Sequence, residues 1–244
     1  MSYLNQFLFG LYPYICLTVF LLGSLIRFDR DQYTWKSDSS QMLKAGQLRW
    51  GSNLFHVGVL FLFFGHSAGL LTPHFMYEHL ISAGNKQLMA MISGGLFGVL
   101  GFAGITILLH RRLFEPRIRI NSKTSDIVLL LLLWLQFALG LATIPYSAQH
   151  LDGSLMMQLG EWAQRIVTFR GGAAELLNDA GWVIKAHMFL GMSIFLIFPF
   201  TRLVHVWSGF ASVSYLARPY QVVRSRRLNV PAGHNLPRQP SAGV

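Results

Sequence analysis

Five runs of about 20 mostly apolar residues, at 3–26, 53–72, 88–110, 125–145 and 183–206, constrain this chain more than any other feature. Each is long enough to cross the hydrocarbon of a bilayer. In lipid an unpaired backbone N–H or C=O has no water to bond, so each run must close its own hydrogen bonds as a helix. The expected fold is therefore all-α, an integral membrane bundle of five transmembrane helices. Composition agrees: 52% of residues are hydrophobic and only 12% charged, where a soluble globular chain carries about 25% charged residues.

The distribution of positive charge orients the bundle. Arg27, Arg30, Lys36, Lys44 and Arg49 follow the first span. Arg111, Arg112, Arg117, Arg119 and Lys123 follow the third, and Arg202, Arg218, Arg224, Arg226, Arg227 and Arg238 end the chain. The alternate loops hold only Lys86, Arg165, Arg170 and Lys185, so sixteen cations lie on one side and four on the other. The richer side is cytoplasmic, which places the N-terminus outside and the C-terminus inside. Because the cations alternate with apolar runs, the sequence pI near 10.2 reflects topology and not a nucleic-acid partner.

The first span has no basic segment before it and no small-residue cleavage site, so it reads as an uncleaved span and not a signal peptide. The lone Cys16 excludes an intramolecular disulfide and a thiolate metal site. In the outer loop 146–182, Leu155, Met156, Leu159, Trp162, Ala163, Ile166 and Val167 recur at helical spacing. They describe either an interfacial helix lying on the membrane or a short helix packed on the bundle. Residues 1–228 form the expected membrane domain, and the Pro/Gly-rich tail 229–244 is expected to be disordered.

Four of the nine histidines, His56, His66, His187 and His205, fall inside spans. A lone intramembrane histidine can serve helix packing, but two on span two and two on span five point to metal ligation. Span two runs outward and span five inward, so antiparallel neighbours match His56 with His205 and His66 with His187. On one straight helix the span-five pair is 18 residues apart, five whole turns, and would share a face. That interval covers about 27 Å of helix against about 15 Å for the span-two pair. Tilted helices would have to absorb the difference, and Pro199 between the span-five pair should kink that helix.

Ligands in two separated pairs suit haem better than zinc, which gathers four ligands about one ion. A porphyrin fills four equatorial positions and two imidazoles the axial ones, leaving an electron-transfer centre with no open site. Two haem b groups are thus expected, the inner on His56 and His205 and the outer on His66 and His187. Gly65, Gly69 and Gly191 would let the macrocycle approach, or else serve helix packing; for Gly94, Gly98, Gly101 and Gly104 packing is the preferred reading. Arg202 lies deeper than His205 with no Asp or Glu near it in sequence, so a haem propionate is its expected partner, with Arg111 and Arg112 as further candidates. His74, His79, His110, His150 and His234 lie at helix ends, in loops or in the tail.

Long strings throughout residues 3–227 resemble the gamma (cytochrome b) subunit of membrane-bound respiratory nitrate reductase: QYTWKSDSSQML, SNLFHVGVL, GHSAGLLTPHFMYE, KQLMAMISGG, RRLFEPRIR, TIPYSAQHLDGS, VTFRGGA and HMFLGMSIFLIFPFTRLVHVWS. The resemblance implies five helices, two b haems and a quinol-oxidising site beside the outer haem, for ubiquinol or menaquinol. It also implies docking to an iron–sulfur beta subunit and a molybdenum-containing alpha subunit, with the assembly in the bacterial cytoplasmic (inner) membrane. It marks Lys86 as part of the quinol site, where a lysine at a helix end would otherwise read as a snorkelling anchor. His66, whose second ring nitrogen could donate to a quinone oxygen, is expected to form the site with it. A haem b subunit of a sulfite- or heterodisulfide-reductase-type complex and a histidine proton-relay transporter are the alternatives. The inner loops Arg27–Arg49 and Arg111–Lys123 and the segment Tyr215–Arg227 are the expected docking face.

Overall fold

A computed structural model of the chain describes residues 3–31 and 45–207. The expected tail 229–244, the docking segment Tyr215–Arg227, and Lys36 and Lys44 lie outside the described residues. The described part of the unit Met1–Val206 is helical, and no strand occurs among its residues. Five helices have the length and apolar composition to cross a membrane, as expected. They are α1 (Tyr3–Arg30), α2 (Ala45–Leu71), α3 (Ala83–Phe114), α4 (Thr124–Ser147) and α6 (Trp182–Ile197), the last counted with the 3₁₀ turn that continues it to Phe200. A shorter helix, α5 (Ser154–Val167), lies in the outer loop.

Helix ends differ from the apolar runs for local reasons. α3 begins at Ala83, ahead of the apolar stretch, because the Ser82 hydroxyl accepts the Asn85 N–H as an N-cap. It ends where Glu115 turns extended before Pro116. α2 starts at Ala45 instead of 53, carrying Arg49 and Trp50 in its first turns. α1 contains a π-helical turn at Phe7–Leu11. Span five shows the largest departure: α6 stops at Ile197, and two 3₁₀ turns, Phe198–Phe200 and Arg202–Val204, flank an extended Thr201.

Extensive contacts link the helices in the order α1–α6–α4–α3–α2. The α2–α3 contact depends on glycine: a Cβ on Gly58 would lie 2.5 Å from the Gly101 backbone, and one on Gly104 would strike Phe55. Gly98 and Gly101 likewise meet Leu141 and Phe137 of α4, as the packing reading expects, whereas Gly94 faces open space. α2 and α6 share no extensive contact. The expectation that they are packed neighbours is therefore corrected, and their histidines meet across a cleft.

The end of the bundle that carries α5 has a core of its own. Leu155, Trp162, Ala163 and Ile166 of α5 are buried with Phe9, Ala173, Ala174, Leu177 and Ile184. Of the two readings of this loop, the structure takes the helix packed on the bundle, its apolar face turned to protein. Side-chain hydrogen bonds fasten it: Trp162 Nε1 donates to Phe9 O (3.0 Å), and Gln164 Nε2 donates to Leu70 O (3.0 Å). Gln87, 3% exposed, donates to Ser147 O (2.9 Å) and His150 O (2.6 Å) and accepts the Met156 N–H. The turn entering α5 uses Gly153 at φ 84°, a conformation that favours glycine.

Candidate functional site

The four span histidines come together as the antiparallel reading requires. His56 faces His205 with ring centroids 6.3 Å apart. His66 faces His187 at the same 6.3 Å. Two metal–imidazole bonds in line, each about 2 Å, plus the short distance from each ring centre to its nitrogen, amount to roughly 6 Å. Each pair is thus spaced to take a single metal atom between two ring nitrogens. Among the described residues no three of His, Cys, Asp and Glu gather to form a larger metal site.

Hydrogen bonding selects which nitrogen is offered. His56 Nδ1 lies 2.7 Å from Ser52 O and His66 Nδ1 2.7 Å from Leu62 O, each one turn back along α2. His205 Nδ1 lies 2.6 Å from Arg202 O. A carbonyl can only accept, so each of these Nδ1 atoms carries the proton and Nε2 is left as the ligating atom. His187 differs: its Nδ1 is buried without a hydrogen-bond partner among the described residues.

The break before His205 corrects the expectation that His187 and His205 lie five turns apart on one face. Pro199 has no N–H to continue the helix, and Thr201 at φ −117°, ψ 176° redirects the chain. Two residues of α1 hold the break. Gly23 leaves room for Pro199, whose Cγ would lie 2.9 Å from a Cβ there. Arg27 Nη1 donates to Pro199 O (2.6 Å) and Thr201 O (3.0 Å), carbonyls that the broken helix leaves exposed.

Arg202 has a protein carboxylate after all. Asp126, at the start of α4, accepts from Arg112 Nη1 at 2.9 Å and from Arg202 Nη1 at 3.5 Å. The premise that Arg202 lacks an anionic partner therefore fails, because the partner lies 76 residues away in sequence. Arg111 is buried at 2% exposure. Two guanidiniums on one carboxylate still leave a net positive cluster beside the His56–His205 pair.

At the other end Lys86 is 8% exposed, and its Nζ sits 3.6 Å above the centre of the Tyr77 ring. It has no hydrogen bond or ion pair among the described residues. Burial first, and the Glu78 carboxylate second, push the Tyr77 phenol above its ordinary range, so Lys86 lies over a neutral ring. Sequence reasoning missed Tyr77, whose only signal is its place in the short helix preceding α3. Gly65, beside His66, faces open space, whereas Gly69 faces Met156 and Gly191 faces Gln136.

Fold and site together define a multi-pass helical membrane protein with two imidazole pairs stacked along one cleft. The sequence pattern described as nitrate reductase gamma subunit matches residues 5–226, and the chain belongs to that family. It is 57% identical over 227 residues to the respiratory nitrate reductase 2 gamma chain of Escherichia coli (strain K12), covering 93% of this chain and 99% of that one. It is 53% identical to the respiratory nitrate reductase 1 gamma chain of the same organism, covering 93% of this chain and 100% of that one. To the nitrate reductase gamma chain of Bacillus subtilis (strain 168) it is 39% identical, over 91% and 99% of the two chains.

Proposed function

We propose that this chain is the quinol-oxidising dihaem b subunit of a respiratory nitrate reductase, set in the bacterial inner membrane with its N-terminus outside and its C-terminus in the cytoplasm. The observation that carries the proposal is the recurrence of one ring spacing, 6.3 Å, in two separate histidine pairs. His56 and His205 would hold the inner haem, His66 and His187 the outer. When bound, the two haems supply one-electron transfer from quinol at the outer face to cytoplasmic iron–sulfur and molybdenum subunits. Nitrate is reduced on those partners and not on this chain.

The chain's own residues supply the rest. Three Nδ1–H groups held on main-chain carbonyls fix ring orientation and raise the basicity of Nε2. The net positive charge of Arg112, Arg202 and Asp126 favours haem propionates at the inner end, with Arg111 adjoining. At the outer end the Lys86 ammonium, held over Tyr77, donates to a quinol oxygen and stabilises its developing negative charge as a proton leaves. His66 forms the other side of that site, and the open space at Gly65 admits the ring. The protons are released outside while the electrons pass inward. The inner loops, with Arg27–Arg49 and Arg111–Lys123, face the soluble subunits.

The test is a reduced-minus-oxidised visible spectrum of the complex purified with its co-expressed partner subunits, followed by a redox titration. Two low-spin b-type components reducible by added quinol are the expected result. A colourless preparation overturns the haem reading and favours a histidine proton relay.

A further inference from the structure

The four histidines divide three to one. His56, His66 and His205 each place Nδ1 on a main-chain carbonyl, whereas His187 Nδ1 is buried with none. The reason is geometric. The His187 ring leans on α4, where a Cβ at Gly140 would meet its Cε1 at 3.0 Å and its Nδ1 at 3.6 Å. One turn from Gly140 on the same helix is Gln136, whose Nε2 donates to His187 O at 3.2 Å. The Gln136 amide in turn lies over Gly191, one turn along α6 from His187, with Nε2 3.1 Å from where a Cβ would be. Each helix thus sets a polar side chain over the other's glycine. This exchange leaves two complementary buried atoms, His187 Nδ1 and Gln136 Oε1, without hydrogen-bond partners among the described residues.

Those two vacant valences answer each other. A neutral imidazole that gives Nε2 to a metal carries its proton on Nδ1. An N–H donor buried without an acceptor is costly, and so is a buried amide oxygen without a donor. We infer that Gln136 is the positioning residue of the outer pair, its Oε1 accepting the His187 Nδ1–H when Nε2 is ligated. His187 would then be the one ligand of the four whose proton is held by a side chain from another helix. A side-chain acceptor can be exchanged by mutation, which a main-chain carbonyl cannot. The inference rests on the dihaem reading, with His187 as an outer ligand.

Two substitutions separate this role from the structural bond to His187 O. Gln136→Glu keeps an acceptor, now charged, and loses the amide donor. Gln136→Leu loses both. A stronger acceptor gives His187 more imidazolate character, which favours ferric iron. The Glu variant should therefore lower the midpoint potential of the outer b-type component, and the Leu variant should raise it. The inner component stays unchanged in both. The readouts are an optical redox titration and the electron paramagnetic resonance spectrum of the purified complex, with His66→Ala identifying the outer component. Opposite shifts confined to that component support the inference. Equal shifts, no shift, or loss of the outer component in both variants overturns it and leaves Gln136 a packing residue. If the Leu variant does not assemble, the Glu variant decides alone: a downward shift supports the inference and any other result overturns it. Failure of the dihaem reading itself would show in the wild-type complex, as a spectrum without two b-type components.

Discussion

The His66–His187 and His56–His205 pairs reach the same separation by different backbone routes. His66 and His187 stand on regular helix, α2 and α6, and their spacing follows from how those helices face each other across the cleft. His56 also stands on α2, but His205 follows a proline break, two 3₁₀ turns and an extended residue held by Arg27. One pair is set by helix placement, and the other by a tether from a third helix. A ring separation common to both, on unlike scaffolds and with different interplanar angles (71° and 44°), indicates that the spacing is the property specified. The surroundings differ as well. Lys86 lies at the start of α3 and Tyr77 just before it, whereas the His56–His205 pair adjoins Asp126 with its two arginines.

The sharpest break of the comparison is to remove one pair at a time. His56→Ala should abolish the inner b-type component and retain most of the outer one, and His187→Ala should do the reverse. The measurement is the haem spectrum of each purified complex. Loss of the same component in both variants would show that the pairing across the cleft is wrong.

Next in size is the effect of Lys86→Ala, which should separate the ends by function. A hydrogen bond from a charged donor contributes about 1.5–3 kcal/mol, so quinol oxidation at limiting quinol should fall by roughly ten- to a hundredfold. Both haems should remain. Tyr77→Leu, which removes the ring beneath Nζ but not the cation, should have the same effect in weaker form. Quinol oxidation at the wild-type rate by the Lys86 variant would leave that residue a membrane anchor.

Much of this arrangement was legible in the sequence. The five helices followed from run length, and the pairing followed from the antiparallel sense of spans two and five, although the intervals between the histidines on the two spans did not match. What the sequence did not disclose shares a physical cause. The Asp126 carboxylate that meets Arg112 and Arg202, the Arg27 tether to residues 199 and 201 and the Gln136 contact with His187 are single side chains acting across helices. No periodicity registers such contacts. Pro199 announced a kink, but a proline marks only where a helix stops. Where the chain goes next depends on Gly23 and Arg27 of another helix.

The Arg27 tether gives a third, smaller prediction. Arg27→Ala removes two charge-assisted hydrogen bonds from carbonyls that have left the helix, a loss of about 2 kcal/mol or more. The break should loosen, so the inner b-type component should become substoichiometric or more easily lost on heating, while the outer component melts as in the wild type. Arg27→Lys, which keeps one charged donor but not the fork of the guanidinium, should fall between. If the two components respond equally to Arg27→Ala, the tether serves the whole bundle and the contrast between the pairs is blunted.

The smallest effect should come from Asp126→Asn. Asp126 reaches the inner pair in two steps: it holds Arg202 Nη1 at 3.5 Å, and the Arg202 carbonyl accepts His205 Nδ1 at 2.6 Å. Asparagine preserves the shape and one acceptor oxygen, so Arg112 and Arg202 keep partial hydrogen bonding. Charge is what changes. Removing one negative charge beside two guanidiniums makes the inner end more positive, which favours the reduced haem and should raise the inner midpoint potential. The outer end, nearly three turns of helix and about 15 Å beyond His56, should show little change. A redox titration of both components in one sample reads the difference directly. An upward shift confined to the inner component supports an electrostatic role for the cluster. An unchanged inner potential means that the cluster is neutralised by other groups, and Asp126 then only anchors the start of α4.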